Sequence, residues 1–255
     1  MVIKDVAAPP ILEVRDLHVN FGGVAAIDGL DFRMMRREIR AIIGPNGAGK
    51  TTFFNAISGV VRPTAGKVMF EGTDISGLSP RHIARRRLAR TFQVSSLFLG
   101  LSVRDNVWVA AQASEGILGA VFSSRVRARI DAKTDEIIER LDLQDIASMT
   151  VADLSYGDQR IVEVALAMAM TPRLLLLDEP TAGMSPRETG RIARLVRQIR
   201  ELVSVIIIEH DMDVVMGVAD TVSVLNFGRL VAEGTPDVVQ NDPHVREVYL
   251  GRESC

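Results

Sequence analysis

One cysteine stands among 255 residues, Cys255 at the last position, so no disulfide can close within the chain. That excludes a disulfide-stapled scaffold and suits a reducing compartment. Charge bias is missing too. Thirty Lys and Arg against 32 Asp and Glu leave a formal net charge of −2, which gives no bulk electrostatic case for nucleic-acid binding. The apolar runs 174–177 and 205–208 fall far short of the roughly 20 residues that span a bilayer. The first ten residues carry Lys4 and Asp5 without an apolar stretch before a cleavage site, so no secretory signal is read there. There is no fixed-period repeat, no low-complexity segment and no sustained heptad pattern. The expectation is a soluble chain with no membrane span of its own. Its 47% hydrophobic and 24% charged residues supply core for one large domain or two small ones.

What is present centres on one stretch. The strand-like residues 39–43 run into Gly44-Pro45-Asn46-Gly47-Ala48-Gly49-Lys50-Thr51-Thr52, and a helical pattern follows. Residues 44–51 fit Gly, four free positions, then Gly-Lys-Thr. Glycines let the backbone curl with its N–H groups inward, in conformations a Cβ forbids. Those N–H groups and the positive helix end form a nest for phosphate oxygens. Lys50 is expected against the terminal phosphates, and the Thr51 hydroxyl is a ligand for Mg²⁺.

Two further strands point to the same place. Leu174-Leu175-Leu176-Leu177 is followed by Asp178-Glu179, and the apolar residues 203–208 end in Glu209-His210-Asp211. Ligands gather at the C-terminal edge of open α/β sheets. Asp178 is placed there to hold Mg²⁺ through its water shell. Glu179 is placed to orient or deprotonate an attacking water, and His210 to hydrogen-bond the γ-phosphate. Leu154-Ser155-Tyr156-Gly157-Asp158-Gln159 opens a helix that Ser155 caps, leaving free N–H groups at its start. Phe21, at the end of the strand over residues 11–21, is either core or a platform for a purine. Arg85, Arg86 and Arg87 are either a solvated helix face or a polyanion site. Residues 116–122 are either a packed loop or a contact surface.

The remaining pattern alternates strands (30–34, 67–71, 89–92, 221–225, 229–232) with helices (81–87, 103–112, 125–141, 186–202, 212–218, 235–240, 245–250). Val94 and about Val151 mark changes of pattern and serve as subdomain boundaries.

Taken together, residues 11–250 resemble an ATP-binding cassette (ABC) ATPase subunit. Phe21 matches the adenine-stacking aromatic, and residues 44–51 the phosphate loop. Gln93 matches the glutamine that senses metal and membrane partner. Residues 154–159 match the signature. Residues 174–179 match the metal-binding strand with its catalytic glutamate. Ala182-Gly183-Met184-Ser185 matches the loop that crosses between subunits, and His210 the switch histidine. Tyr156 and Asp158 depart from the common Leu-Ser-Gly-Gly-Gln. They, with Ala232-Glu233-Gly234-Thr235-Pro236 and Tyr249-Leu250-Gly251, look like the ATPase group of branched-chain amino acid uptake.

The resemblance implies an α/β fold: a P-loop (RecA-like) core over residues 11–93 and 151–255 with an antiparallel β-subdomain, and an inserted helical subdomain over 94–150 that continues into the signature helix. It implies ATP and Mg²⁺ as ligands, with Thr51, Gln93 and Asp178 around the metal. Lys50, Gln93, Glu179 and His210 would serve catalysis. Ser155 and Gly157 would meet the nucleotide of a second ABC ATPase subunit. Transmembrane permeases and a solute-binding protein are the further partners, and the location is cytoplasmic, peripheral on the inner face of the membrane. Urea or amide uptake and lipopolysaccharide export stand as related alternatives. A soluble ATP-dependent clamp and, last, a small-molecule kinase are the alternatives of other classes.

Overall fold

The computed structural model describes residues 9–91, 97–114 and 124–250. The chain runs through β1 (Leu12–Phe21), β2 (Val24–Met34), β3 (Ile39–Ile43), α1 (Lys50–Ile57), β4 (Ala65–Phe70), β5 (Thr73–Asp74), α2 (Pro80–Arg85) and β6 (Leu88–Arg90). Helices α3 (Val103–Ser114), α4 (Ser124–Arg140) and α5 (Tyr156–Ala169) follow. Then come β7 (Leu174–Asp178), α6 (Pro186–Ile199), β8 (Ser204–Ile208), α7 (Met212–Val218), β9 (Thr221–Asn226), β10 (Arg229–Gly234), α8 (Pro236–Asn241) and α9 (Pro243–Leu250).

Two sheets result. A four-stranded antiparallel sheet has the order β2-β1-β4-β5. A six-stranded sheet has the order β10-β9-β3-β8-β7-β6, parallel except for β10. Its central strands β3, β7 and β8 are buried on both faces, which is why they read as unbroken apolar runs. Alternate residues divide between two cores. Leu175, Leu177, Val205 and Ile207 face the helical side with α3 to α7. Leu174, Leu176, Ile206 and Ile208 face α1 and the antiparallel sheet, where Phe53 and Phe54 sit fully buried.

Several bounds shift: α6 ends at Ile199 rather than Leu202, and two other shifts have a visible cause. The second strand begins at Val24 rather than Leu30, because Asp28-Gly29 forms an irregularity opposite Leu17 and His18 that breaks the apolar alternation without breaking the pairing. Helix α2 stops at Arg85 rather than Arg87, because Arg87 takes a left-handed conformation (φ 68°) that turns the chain into β6. The expected Gly116–Phe122 link and the Phe92 end of the sixth strand lie outside the described residues.

Because β3, β7 and β8 are parallel neighbours, their C-terminal ends share one edge. That edge carries the loop from Gly44, Asp178 at the last position of β7, and Glu179 and His210 just beyond β7 and β8; Phe21 stands apart at the end of β1.

Candidate active site

The loop after β3 is locked by close backbone approaches. A Cβ at Gly44 (φ 150°) would stand 2.1 Å from the Leu225 carbonyl of β9. One at Gly49 (φ 100°) would stand 2.7 Å from the Ala26 carbonyl of β2. Only glycine fits at either position. Gly49 is also the N-cap of α1, and no side chain caps that helix. Helices α5, α6 and α7, by contrast, are capped by Ser155, Ser185 and Asp211. Helix α1 therefore opens with backbone donors and positive dipole facing the loop. Lys50 is buried, and its Nζ donates to the Gly44 carbonyl at 2.6 Å and the Pro45 carbonyl at 3.0 Å.

Across the edge, Glu179 leaves β7 with φ 47°, a rare conformation for a non-glycine residue that costs about 1–3 kcal/mol. Its N–H donates to the Ile208 carbonyl at 2.9 Å, and its own carbonyl accepts from Ala182 at 3.2 Å. These bonds hold the strained residue so that Oε1 lies 2.6 Å from His210 Nε2. Asp178 is buried one residue earlier, its Oδ2 accepting from Arg90 at 2.8 Å. Arg90 also donates to Asn55 Oδ1 at 2.6 Å, tying β7 to α1. Glu209, which carried no role in the sequence reading, is a buried clasp. It accepts from the Thr181 N–H at 3.0 Å, the Thr181 hydroxyl at 2.6 Å and the His210 N–H at 3.0 Å.

One pocket gathers residues 46–52, Glu179 and His210, with residues 24–26 and Phe227 completing its wall. Gly44 and Pro45 do not line it; they reach it through Lys50, whose ammonium their carbonyls hold. Phe21 is half exposed at the end of β1 and does not line this pocket. Phe227 does, at 80% exposure and with φ 46°. Nothing in the apolar periodicity marks Phe227; its place in a tight turn before Gly228 was the one available signal. Gln93 lies outside the described residues. Ser155 and Gly157 are not part of the pocket. They open α5, where Ser155 accepts from the Asp158 N–H at 3.1 Å.

The ABC transporter family model matches residues 27–182, and a Branched-chain amino acid ATP-binding cassette transporter model matches residues 229–254. A high-affinity branched-chain amino acid transport ATP-binding protein of Pseudomonas aeruginosa is 38% identical over 95% of this chain and 98% of its own length. The corresponding protein of Escherichia coli K12 gives the same identity and coverage. Among solved structures, the ADP conformation of an ATP-binding cassette of an ABC transporter superposes with a TM-score of 0.82 at 28% identity, covering 95% of this chain and 99% of that one. A nucleotide-free cassette gives 0.81 at 27% identity, covering 94% and 98%. The chain belongs to the ABC transporter family.

As an ABC cassette it is an ATP hydrolase, and the oxygen chemistry of its site fits magnesium. The Thr51 hydroxyl and the Asp178 carboxylate are hard donors, and Arg90 engages only one of the Asp178 oxygens in the bonds above. Magnesium is commonly held by one or two carboxylates plus substrate phosphates and retained waters. Among the described residues no group of three or more His, Cys, Asp or Glu forms a protein-only metal cage. No helix among them is long and apolar enough to cross a membrane.

Proposed function

We propose that this cassette hydrolyses ATP to drive import of branched-chain amino acids through partner permeases. The observation that carries the chemistry is the shared pocket: the phosphate loop, the strained Glu179 and His210 face one another across it. The loop N–H groups and the Lys50 ammonium bind and orient the triphosphate. Thr51, Asp178 and Gln93 would hold Mg²⁺, which when bound neutralises phosphate charge. The Glu179 carboxylate takes a proton from water as the water oxygen bonds to the γ-phosphorus and the bond to the β–γ bridging oxygen breaks. His210, now bonded to Glu179, supplies an N–H toward the departing phosphate. Phe21 and Phe227 are the aromatic faces near the mouth, and one of them carries the adenine.

The solute assignment rests on relatives named for branched-chain amino acid transport and on the matching C-terminal segment. On this reading residues 94–150 form the helical subdomain, and Gln93 with the residues after it passes movement to the permease. The cassette sits on the inner face of the membrane, in a system that includes a solute-binding protein. On the same family reading Ser155 and Gly157 address the γ-phosphate of a second cassette, which is compatible with neither of them lining this chain's own pocket.

Glu179→Gln tests the chemistry. ATP binding should persist while steady-state phosphate release falls at least 100-fold. Undiminished hydrolysis would remove Glu179 from the mechanism. Uptake of labelled leucine by vesicles of the assembled system, lost in the same variant, tests the solute.

A further inference from the structure

The first turn of α5 is occupied by a carboxylate from its own chain. The Gly157 N–H donates to Glu188 Oε1 at 3.2 Å. Gly157 is buried although Ser155 and Tyr156 beside it are exposed. A Cβ there would stand 2.7 Å from Glu188 Oε1 and 2.8 Å from its Cγ. The cover over this N–H is thus the Glu188 side chain itself. The other Glu188 oxygen closes a capping box on Ser185, accepting from the Ser185 N–H at 3.0 Å and the hydroxyl at 2.7 Å. A second bond runs beside it, from Arg191 to Asp158 Oδ1 at 2.7 Å. Asp158, one of the two departures from the common signature, therefore pins the start of α5 to α6.

We propose that Glu188 is a placeholder for the γ-phosphate of the facing cassette and must leave the Gly157 N–H before two cassettes close over ATP. This rests on the reading that Gly157 serves a partner's nucleotide. One N–H cannot serve two anions at full strength, and a carboxylate within hydrogen-bond reach of a phosphate oxygen repels it. Displacement frees one Glu188 oxygen and leaves the capping box at Ser185, the last residue of the loop that leads into α6. The Arg191–Asp158 bond keeps the two helices together while the carboxylate swings. Glu188 is thus a positioning residue that sets how much ATP closure requires. It does not touch the chain's own phosphate loop.

The test uses full-length Glu179→Gln, which holds ATP without turning it over. The ATP concentration at half-maximal dimerisation is read by light scattering, alone and with Glu188→Gln or Glu188→Ala added. Both additions should lower that concentration, by about three- to tenfold, the loss of one charge-assisted hydrogen bond and its repulsion. Magnesium-ATP affinity at protomer concentrations too low for dimers should stay the same. Glu188→Gln keeps an acceptor for Ser185, so it separates charge from helix capping. A midpoint that is unchanged or raised in Glu188→Gln overturns the placeholder role while leaving the shared-site reading intact. If none of the variants dimerises with ATP, the shared-site reading fails, and the placeholder fails with it.

Discussion

At the scale of single residues, two aromatics are candidates for the platform that carries the base. Phe21 matches the expected aromatic, yet Phe227 is the ring that lines the phosphate-loop pocket. Its turn is anchored to the loop: the Gly228 N–H donates to the Ala48 carbonyl at 2.9 Å, and the Gly228 carbonyl accepts from Asp28 at 3.1 Å. The ring is 80% exposed beside the loop, so its face is open to stack on a planar base. Phe227→Ala should therefore weaken ATP binding about five- to tenfold, the worth of one aromatic stacking partner, while leaving inorganic triphosphate binding unchanged. Titration of both ligands checks it, and Phe227→Trp offers a fluorescence signal quenched by ATP alone. If Phe21→Ala weakens ATP and Phe227→Ala does not, the base rests on β1. Glu209 was illegible for a different reason. Its role lies in contacts to Thr181, 28 residues away, which no local spacing announces.

At the scale of elements, what was legible was what repeats locally. Strands β3, β7 and β8 announce themselves by unbroken apolar runs, and the C-terminal edge they share brings Lys50, Glu179 and His210 together as expected. What was not legible needed a partner strand: the bulged first half of β2 and the two-residue β5 exist through pairing alone. The joint between the two sheets belongs to this class. Glu71, after β4, ion-pairs with Arg36 at 2.6 Å and also with Arg173 just before β7. Burial pushes the Glu71 carboxyl upward, but the Arg173 and Arg36 guanidiniums outweigh it and hold it below the usual carboxylate range. A carboxyl lowered on folding stabilises the fold above its unfolded value. That stabilisation is lost as pH falls through the folded value. Wild type should therefore exceed Glu71→Gln in thermal stability by a constant margin above about pH 5, and the margin should vanish well below about pH 4. Melting curves of both proteins from pH 3 to 8 check this; a margin that grows on acidification contradicts the assignment.

At the scale of the whole molecule, the arrangement is proposed to be half of a site. The residue 46–52 loop and the bonded Glu179–His210 pair share a pocket, whereas Ser155 and Gly157 lie outside it. If each nucleotide lies between one copy's loop and the other copy's signature, two different lesions need not be additive. Lys50→Ala ruins the loop; Ser155→Arg blocks the exposed signature face. Each homodimer has two damaged sites and should be inactive. In a mixed dimer both lesions fall in the same site, because the damaged loop faces the damaged signature. The other site pairs an intact loop with an intact signature. Random mixing makes about half the dimers mixed, each with one good site of two, so activity should return to at most about a quarter of wild type. Were the signature to serve its own chain's nucleotide, every site in the mixture would carry one lesion and no activity would return. Hydrolysis measured on the two purified variants, separately and after mixing, therefore decides whether the catalytic unit is the chain or the pair.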